Sequence, residues 1–329
     1  MPKLIQLRQL CERVDENQEI NPEMPSWCMV NYLLLKDSGF NIHPGAVVAA
    51  SAECTLFSYA RDSISPMHFS TIGGDERLEL ITGYSIKSIR TTDAEIAFQF
   101  IKNGIDSNKG IFISGPEISI CYGYEDDQNI NNRIIHGIAY WGPGLYGEFS
   151  WDKFSYFIKK FGNNEGLKII DQQRKENTKE EIVEMLIETA IDWQENHPAI
   201  NYGQKKEYYG LSAFQHFISD LSNRSIRDKV DEAYLNCHVI MSQMGGRYWL
   251  GLYLKELAGQ FKVPSKTTLY EIGNLYIESS ELFKKYIDFN IKERNEEVIP
   301  EILDVLKKAY DYEKEILEKF KIIREILNE

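Results

Sequence analysis

The chain has no apolar run near the ~20 residues that a membrane-spanning helix needs, so no such span is expected. It has no CxxC pair. The five cysteines, Cys11, Cys28, Cys54, Cys121 and Cys237, are odd in number and widely spaced. That pattern argues against a zinc ribbon, a redox pair or a disulfide framework. The opening residues, Met1-Pro2-Lys3-Leu4-Ile5-Gln6, lack the apolar centre of a signal peptide. Reduced thiols and a cytoplasmic location are therefore the expectation. Basic charge is short as well: Lys and Arg number 37 against 50 Asp and Glu, a net charge of −13. A nucleic-acid binder needs a basic face, so that class is disfavoured, as is an anionic membrane surface. No fixed-period repeat occurs, which argues against a solenoid. Gly73-Gly74 and Gly245-Gly246 stand outside any phosphate-loop context. No cofactor is implied.

What is present fits a globular protein of about two domains at 329 residues, 43% hydrophobic and 26% charged. Aromatics reach 12%, with 19 Tyr whose hydroxyls need partners when buried. The expected fold class is α+β: a mixed domain over residues 1–175 followed by an all-helical domain over 176–329. In the first part, the spacing predicts a helix over Ser26 to Asp37, stopped at Gly39. Val47 to Tyr59 is small and apolar, as buried backbone would be. Gly74 to Thr82 predicts a short helix and 84–90 a strand. Asp93 caps a further helix with Ile96, Ala97, Phe100 and Ile101 inward. Strands are expected at 110–114, from Glu117 to Tyr124, from Arg133 to Trp141 and from Leu167 to Asp171. A helix opens at Ser150-Trp151. The charged run from Arg174 to Glu181 marks the boundary. Thr178-x-x-Glu181 is a capping box. Helices follow from about 209, 226, 247 and 267, and a last one runs over about 297–327.

Cys28 is the sharpest chemical candidate. It falls in the first turn of a predicted helix, where free backbone N–H groups stabilise a thiolate, the form that attacks acyl carbon. A buried cysteine packed beneath Trp27 is the commoner reason for such a residue. Six histidines occur. His216 and His238 lie inside predicted helices, His197 ends one, His43 and His68 lie by prolines in turns. His136, on a predicted strand, is the best candidate base by type. Glu125-Asp126-Asp127 can bind a cation, although a solvated hairpin turn explains it more simply. Arg247, after Gly246, suits either a surface cation beside a helix break or a bidentate fork for a carboxylate or phosphate. Tyr208, Tyr209, Tyr248 and Trp249 suit an apolar cleft or an ordinary core.

These stretches together resemble a known family. A helix beginning with Cys28 is followed by Cys54-Thr55-Leu56-Phe57-Ser58-Tyr59. Next come Gly115-Pro116-Glu117-Ile118-Ser119-Ile120-Cys121-Tyr122-Gly123-Tyr124-Glu125-Asp126-Asp127 and Ser150-Trp151-Asp152-Lys153-Phe154. The order resembles papain-like bacterial families, among them double-glycine leader peptidases, and more closely the N-terminal domain of the BtrH-like family of butirosin biosynthesis. Tyr208-Tyr209-Gly210-Leu211-Ser212-Ala213 and Gly245-Gly246-Arg247-Tyr248-Trp249-Leu250-Gly251-Leu252-Tyr253-Leu254 resemble the helical domain that follows in that family.

The resemblance implies a cysteine-dependent acyltransferase of secondary-metabolite biosynthesis, with an acyl carrier protein as a partner. In that scheme Cys28 takes the acyl group and Glu117 or His136 handles the proton. Trp27, Tyr140, Trp141, Tyr209 and Arg247 are then the candidate substrate-binding residues. Three departures bear on this. Glu117 stands where the peptidases of this fold carry His. The next strand, Ile138-Ala139-Tyr140-Trp141-Gly142, lacks the expected Asp or Asn. Asn21, Pro22 and Glu23 occupy the region of the usual Gln. A carboxylate near its ordinary pKa is a poor base for a thiol. The alternatives are a catalytically degenerate papain-like binding protein for a peptide or small molecule, and a cysteine peptidase or amidase. An oligomer formed through the C-terminal helices is a further expectation.

Overall fold

The computed structural model describes residues 4–15, 24–62, 73–115, 118–139, 147–163, 166–173, 177–196, 199–202, 205–290 and 296–328. The fold is mixed α+β and divides into two compact units. The first comprises Met1–Asn21, Ser26–Ile42 and Leu78–Glu176; the second comprises Pro22–Pro25, His43–Arg77 and Asn177–Glu329. The division is not a single cut near residue 175. Residues 43–77 group with the C-terminal half because their elements pair with elements far downstream. None of the described helices is long and apolar enough to cross a membrane.

In the first unit, helices α1 (Ile5–Asp15) and α2 (Ser26–Asp37) precede a six-stranded antiparallel sheet. Helix α3 (Pro44–Ser51) and strand β1 (Ser58–Ala60), next along the chain, belong to the second unit, and the division falls within helix α4 (Gly74–Thr82). The sheet strands are β2 (Tyr84–Ile89), β3 (Ile111–Ile113), β4 (Ser119–Glu125), β5 (Ile134–Ala139), β6 (Gly147–Ser150) and β7 (Leu167–Gln173). Their spatial order is β2-β7-β3-β4-β5-β6. Helices α5 (Ala94–Asp106) and α6 (Trp151–Phe161) cover one face. Phe98, Ile101, Phe154 and Ile158 pack there on Ile111, Ile113, Ile135 and Leu167. The side-chain period of two sends Phe112, Ile120 and Ile170 to the opposite face, where they are buried too. Helix α2 packs against β3 and β7.

Local sequence explains most of these elements. Asp93 Oδ1 accepts the N–H of Glu95 at 2.8 Å and of Ile96 at 3.2 Å, which fixes the start of α5. Ile96, expected inward, is exposed, and Phe98 takes the core position instead. Gly39 and Gly83, just past α2 and α4, adopt left-handed φ of +83° and +69°.

The second unit is mainly helical but not wholly so. It holds α3, α7 (Lys179–Asn196), α8 (Gly210–Asn223), α9 (Ile226–Leu235), α10 (Cys237–Ala258), α11 (Ser265–Asn290) and α12 (Ile299–Asn328). The hairpin β8 (Ala199–Tyr202) and β9 (Lys205–Tyr209) corrects the all-helical expectation. Strand β9 pairs with β1, about which sequence pattern alone is silent; the sheet order is β1-β9-β8. The core joins Phe57 and Tyr59 to Phe214, Phe217, Phe283, Tyr286 and Ile302. The capping box is present: Thr178 Oγ1 accepts the N–H of Glu181, whose carboxylate accepts the N–H of Thr178.

Candidate functional site

Helix α2 forms where the sequence predicts it, and its first turn carries Trp27 and Cys28. The burial is deeper than one apolar face would give: every residue from Trp27 to Leu35 is buried. Helix α2 is thus buried all round, as an interior helix is, and its one buried amide, Asn31, donates Nδ2–H to the Trp27 carbonyl at 2.9 Å. Cys28 is 0% exposed and Trp27 1% exposed. The indole Nε1–H of Trp27 has no hydrogen-bond acceptor among the described residues. Leaving a buried donor unsatisfied costs about 1–3 kcal/mol.

His136 lies on β5 and is buried. Its Nε2 stands 3.1 Å from Glu125 Oε1, and its Nδ1 stands 3.8 Å from Glu148 Oε1. The sheet register explains this grouping. His136 is directly opposite Glu148 on β6, and Glu125 on β4 is opposite Ile134. All three side chains therefore emerge on one face, while Ile135 and its partner Phe149 turn to the core face. A bulge between Cys121 and Gly123 keeps Glu125 on that side, and the Tyr122 ring stacks on His136 at 6.3 Å. Sequence reasoning missed Glu148. The available signal was the alternation of His136 with Ile135, matched by that of Glu148 with Phe149.

The acidic turn that follows β4 is self-satisfied. Asp126 bonds Lys102 at 2.5 Å and Arg133 at 3.0 Å. The Lys102 hydrogen bond, ahead of the other neighbours, holds its carboxyl below the usual range. Asp127 Oδ1 accepts the N–H of Asn129 at 2.7 Å. This is hairpin-turn chemistry.

Glu117, Tyr140 and Trp141, expected as base and substrate contacts, lie outside the described residues. Tyr209 and Arg247 belong to the second unit and are both fully buried. Tyr209 donates its hydroxyl to Glu207 Oε2 at 2.6 Å and precedes α8. Arg247 corrects the surface-cation expectation, and Gly246 corrects the helix break beside it. Helix α10 runs unbroken through Gly245-Gly246, beginning at Cys237 rather than near 247. The glycine serves close approach: a Cβ on Gly246 would lie 1.9 Å from Cys54 Sγ. Arg247 Nε donates to Gln243 Oε1 at 2.9 Å and Nη1 to Ser279 Oγ at 3.1 Å. Nη1 also lies 2.9 Å from Glu313 Oε2, and the guanidinium stacks near Tyr276 and Phe283. The fork anticipated for a substrate anion thus holds a carboxylate of the chain itself. Among the other histidines, His43 caps α3 through Nδ1, which accepts the N–H of Gly45 at 3.0 Å.

No protein-family model matches the chain, and no curated protein matches it in sequence.

Proposed function

We propose that this chain is a papain-like binding protein of the BtrH-like kind whose catalytic set has degenerated, and that its ligand is a peptide or small molecule bearing a hydrogen-bond acceptor. The observation that carries this reading is the Trp27 indole N–H, buried without an acceptor among the described residues. A ligand carbonyl or carboxylate would satisfy it and recover the cost of leaving it unpaired. The adjacent thiol supports the same reading, since Cys28 is sealed from solvent.

The test is a thermal-shift screen of short peptides and small amides against the chain and its Trp27→Phe variant. The variant keeps the ring and removes the donor. A ligand that raises the melting temperature of the parent and loses most of that shift in the variant bears the reading out. Equal shifts in the two proteins contradict it.

One observation favours a second reading, cysteine-dependent acyl transfer. Cys28 occupies the first turn of α2, where the helix dipole stabilises a thiolate. Acyl transfer would form a thioester at Cys28 Sγ with loss of the carrier thiol, and an amine would then displace Cys28.

A further inference from the structure

We infer that Glu125, His136 and Glu148 form a binding site for one divalent first-row transition ion, with Zn2+ as the best match. This inference does not depend on the reading of Trp27 and Cys28. Three strands converge on the site, and one potential ligand atom from each residue lies within 4.8 Å of the other two. The donor set is one imidazole nitrogen and two carboxylate oxygens. Mixed nitrogen and oxygen donors suit Zn2+ and its neighbours rather than Ca2+ or Mg2+, which prefer all-oxygen shells.

The separations agree with that chemistry. Two ligands at zinc distances and a tetrahedral angle stand about 3.4 Å apart. His136 Nε2 and Glu125 Oε1 are 3.1 Å apart, close to that edge length. Glu148 Oε1 lies 3.8 Å from the other ring nitrogen, Nδ1, but its side chain is 67% exposed on the strand at the sheet edge, so its carboxylate can swing toward Nε2 without repacking. His136 is only 2% exposed, and the stacked Tyr122 ring holds its plane. One rigid, buried donor and one adjustable, exposed donor make a site that is largely formed before the ion arrives. Two carboxylates brought this near to one another also favour a cation between them. Nε2 coordinates through the lone pair of the neutral imidazole, and three protein ligands leave one position for water or an exogenous group.

The experiment uses the full chain without an affinity tag, stripped with chelator and titrated calorimetrically with Zn2+. The expected result is saturation at one ion per chain. Co2+ in the same site is expected to give weak visible bands of nitrogen and oxygen coordination, with no near-ultraviolet thiolate band. Glu125→Ala and Glu148→Ala are each expected to weaken Zn2+ binding by at least about tenfold, the lower range for changes even around a metal's direct ligands. Glu148 is exposed, so its variant keeps the fold even if His136→Gln does not. The inference is overturned by failure to saturate at one ion per chain, by a thiolate band with Co2+, or by unchanged affinity in both glutamate variants.

Discussion

At the residue scale, burial decides which groups are chemically available. Burial pushes the Cys121 thiol up to about 12 and the Cys237 thiol up to about 11. Neither is a nucleophile near neutral pH. Burial also pushes the Asp37 carboxyl up to about 6, and its place at the C-terminal end of α2 adds an unfavourable dipole for a carboxylate. The folded chain holds that proton more tightly than the unfolded chain. The stability it contributes is therefore present at low pH and lost as pH rises from about 4 to about 6. Asp37→Asn should flatten that decline and stabilise the protein by about 1 kcal/mol at pH 7, allowing for solvent screening. Urea unfolding at pH 4, 5, 6 and 7 measures it. A variant with the same pH slope as the parent would show that Asp37 is not the titrating group.

At the element scale, the long helices of the second unit are joined by a buried ion pair. Arg247 of α10 and Glu313 of α12 are 0% and 1% exposed in their side chains. Burial raises the Glu313 carboxyl and Arg247 opposes it, so the carboxylate depends on its partner. Arg247→Met should cost about 3–5 kcal/mol, because it strands a buried charge. The double variant Arg247→Met with Glu313→Leu should recover most of that loss, since an apolar pair needs no desolvation of ions. Denaturant midpoints of the two variants test this. A single variant within 1 kcal/mol of the parent would contradict it, by the same principle.

The elements also show what was legible in the sequence. Helix α2, helix α4 and the start of α7 were legible because their signals are local: an apolar run, a terminating glycine, a capping box. The start of α10 was not. Gly245-Gly246 looks like a break in isolation, and its true role, admitting Cys54, depends on a residue far upstream in the sequence, whose Sγ also donates to the Ser242 carbonyl. The β8–β9 hairpin was hidden for the same reason, since its partner β1 is remote in sequence. In the candidate site, Cys28 and His136 stood out by type. Glu148 did not, because its relation to His136 exists only through the β5–β6 register.

At the scale of the whole molecule, a chain of net charge −13 builds two units, and neither leaves a described cysteine at the surface. That arrangement ties the reactivity of Cys28 to the opening of its unit. The sulfur meets an alkylating reagent only as often as the interior around α2 becomes exposed. The binding reading is compatible with a closed thiol, while acyl transfer requires a thiol that is open and ionised in the folded state. The direct measurement is iodoacetamide labelling of the native chain from pH 6 to 9, with Cys28 followed by peptide mass mapping. The account predicts that Cys28 is labelled no faster than Cys121, and that mild denaturant accelerates both together. Rapid labelling of Cys28 near pH 7 in the folded chain, with Cys121 still protected, would contradict it.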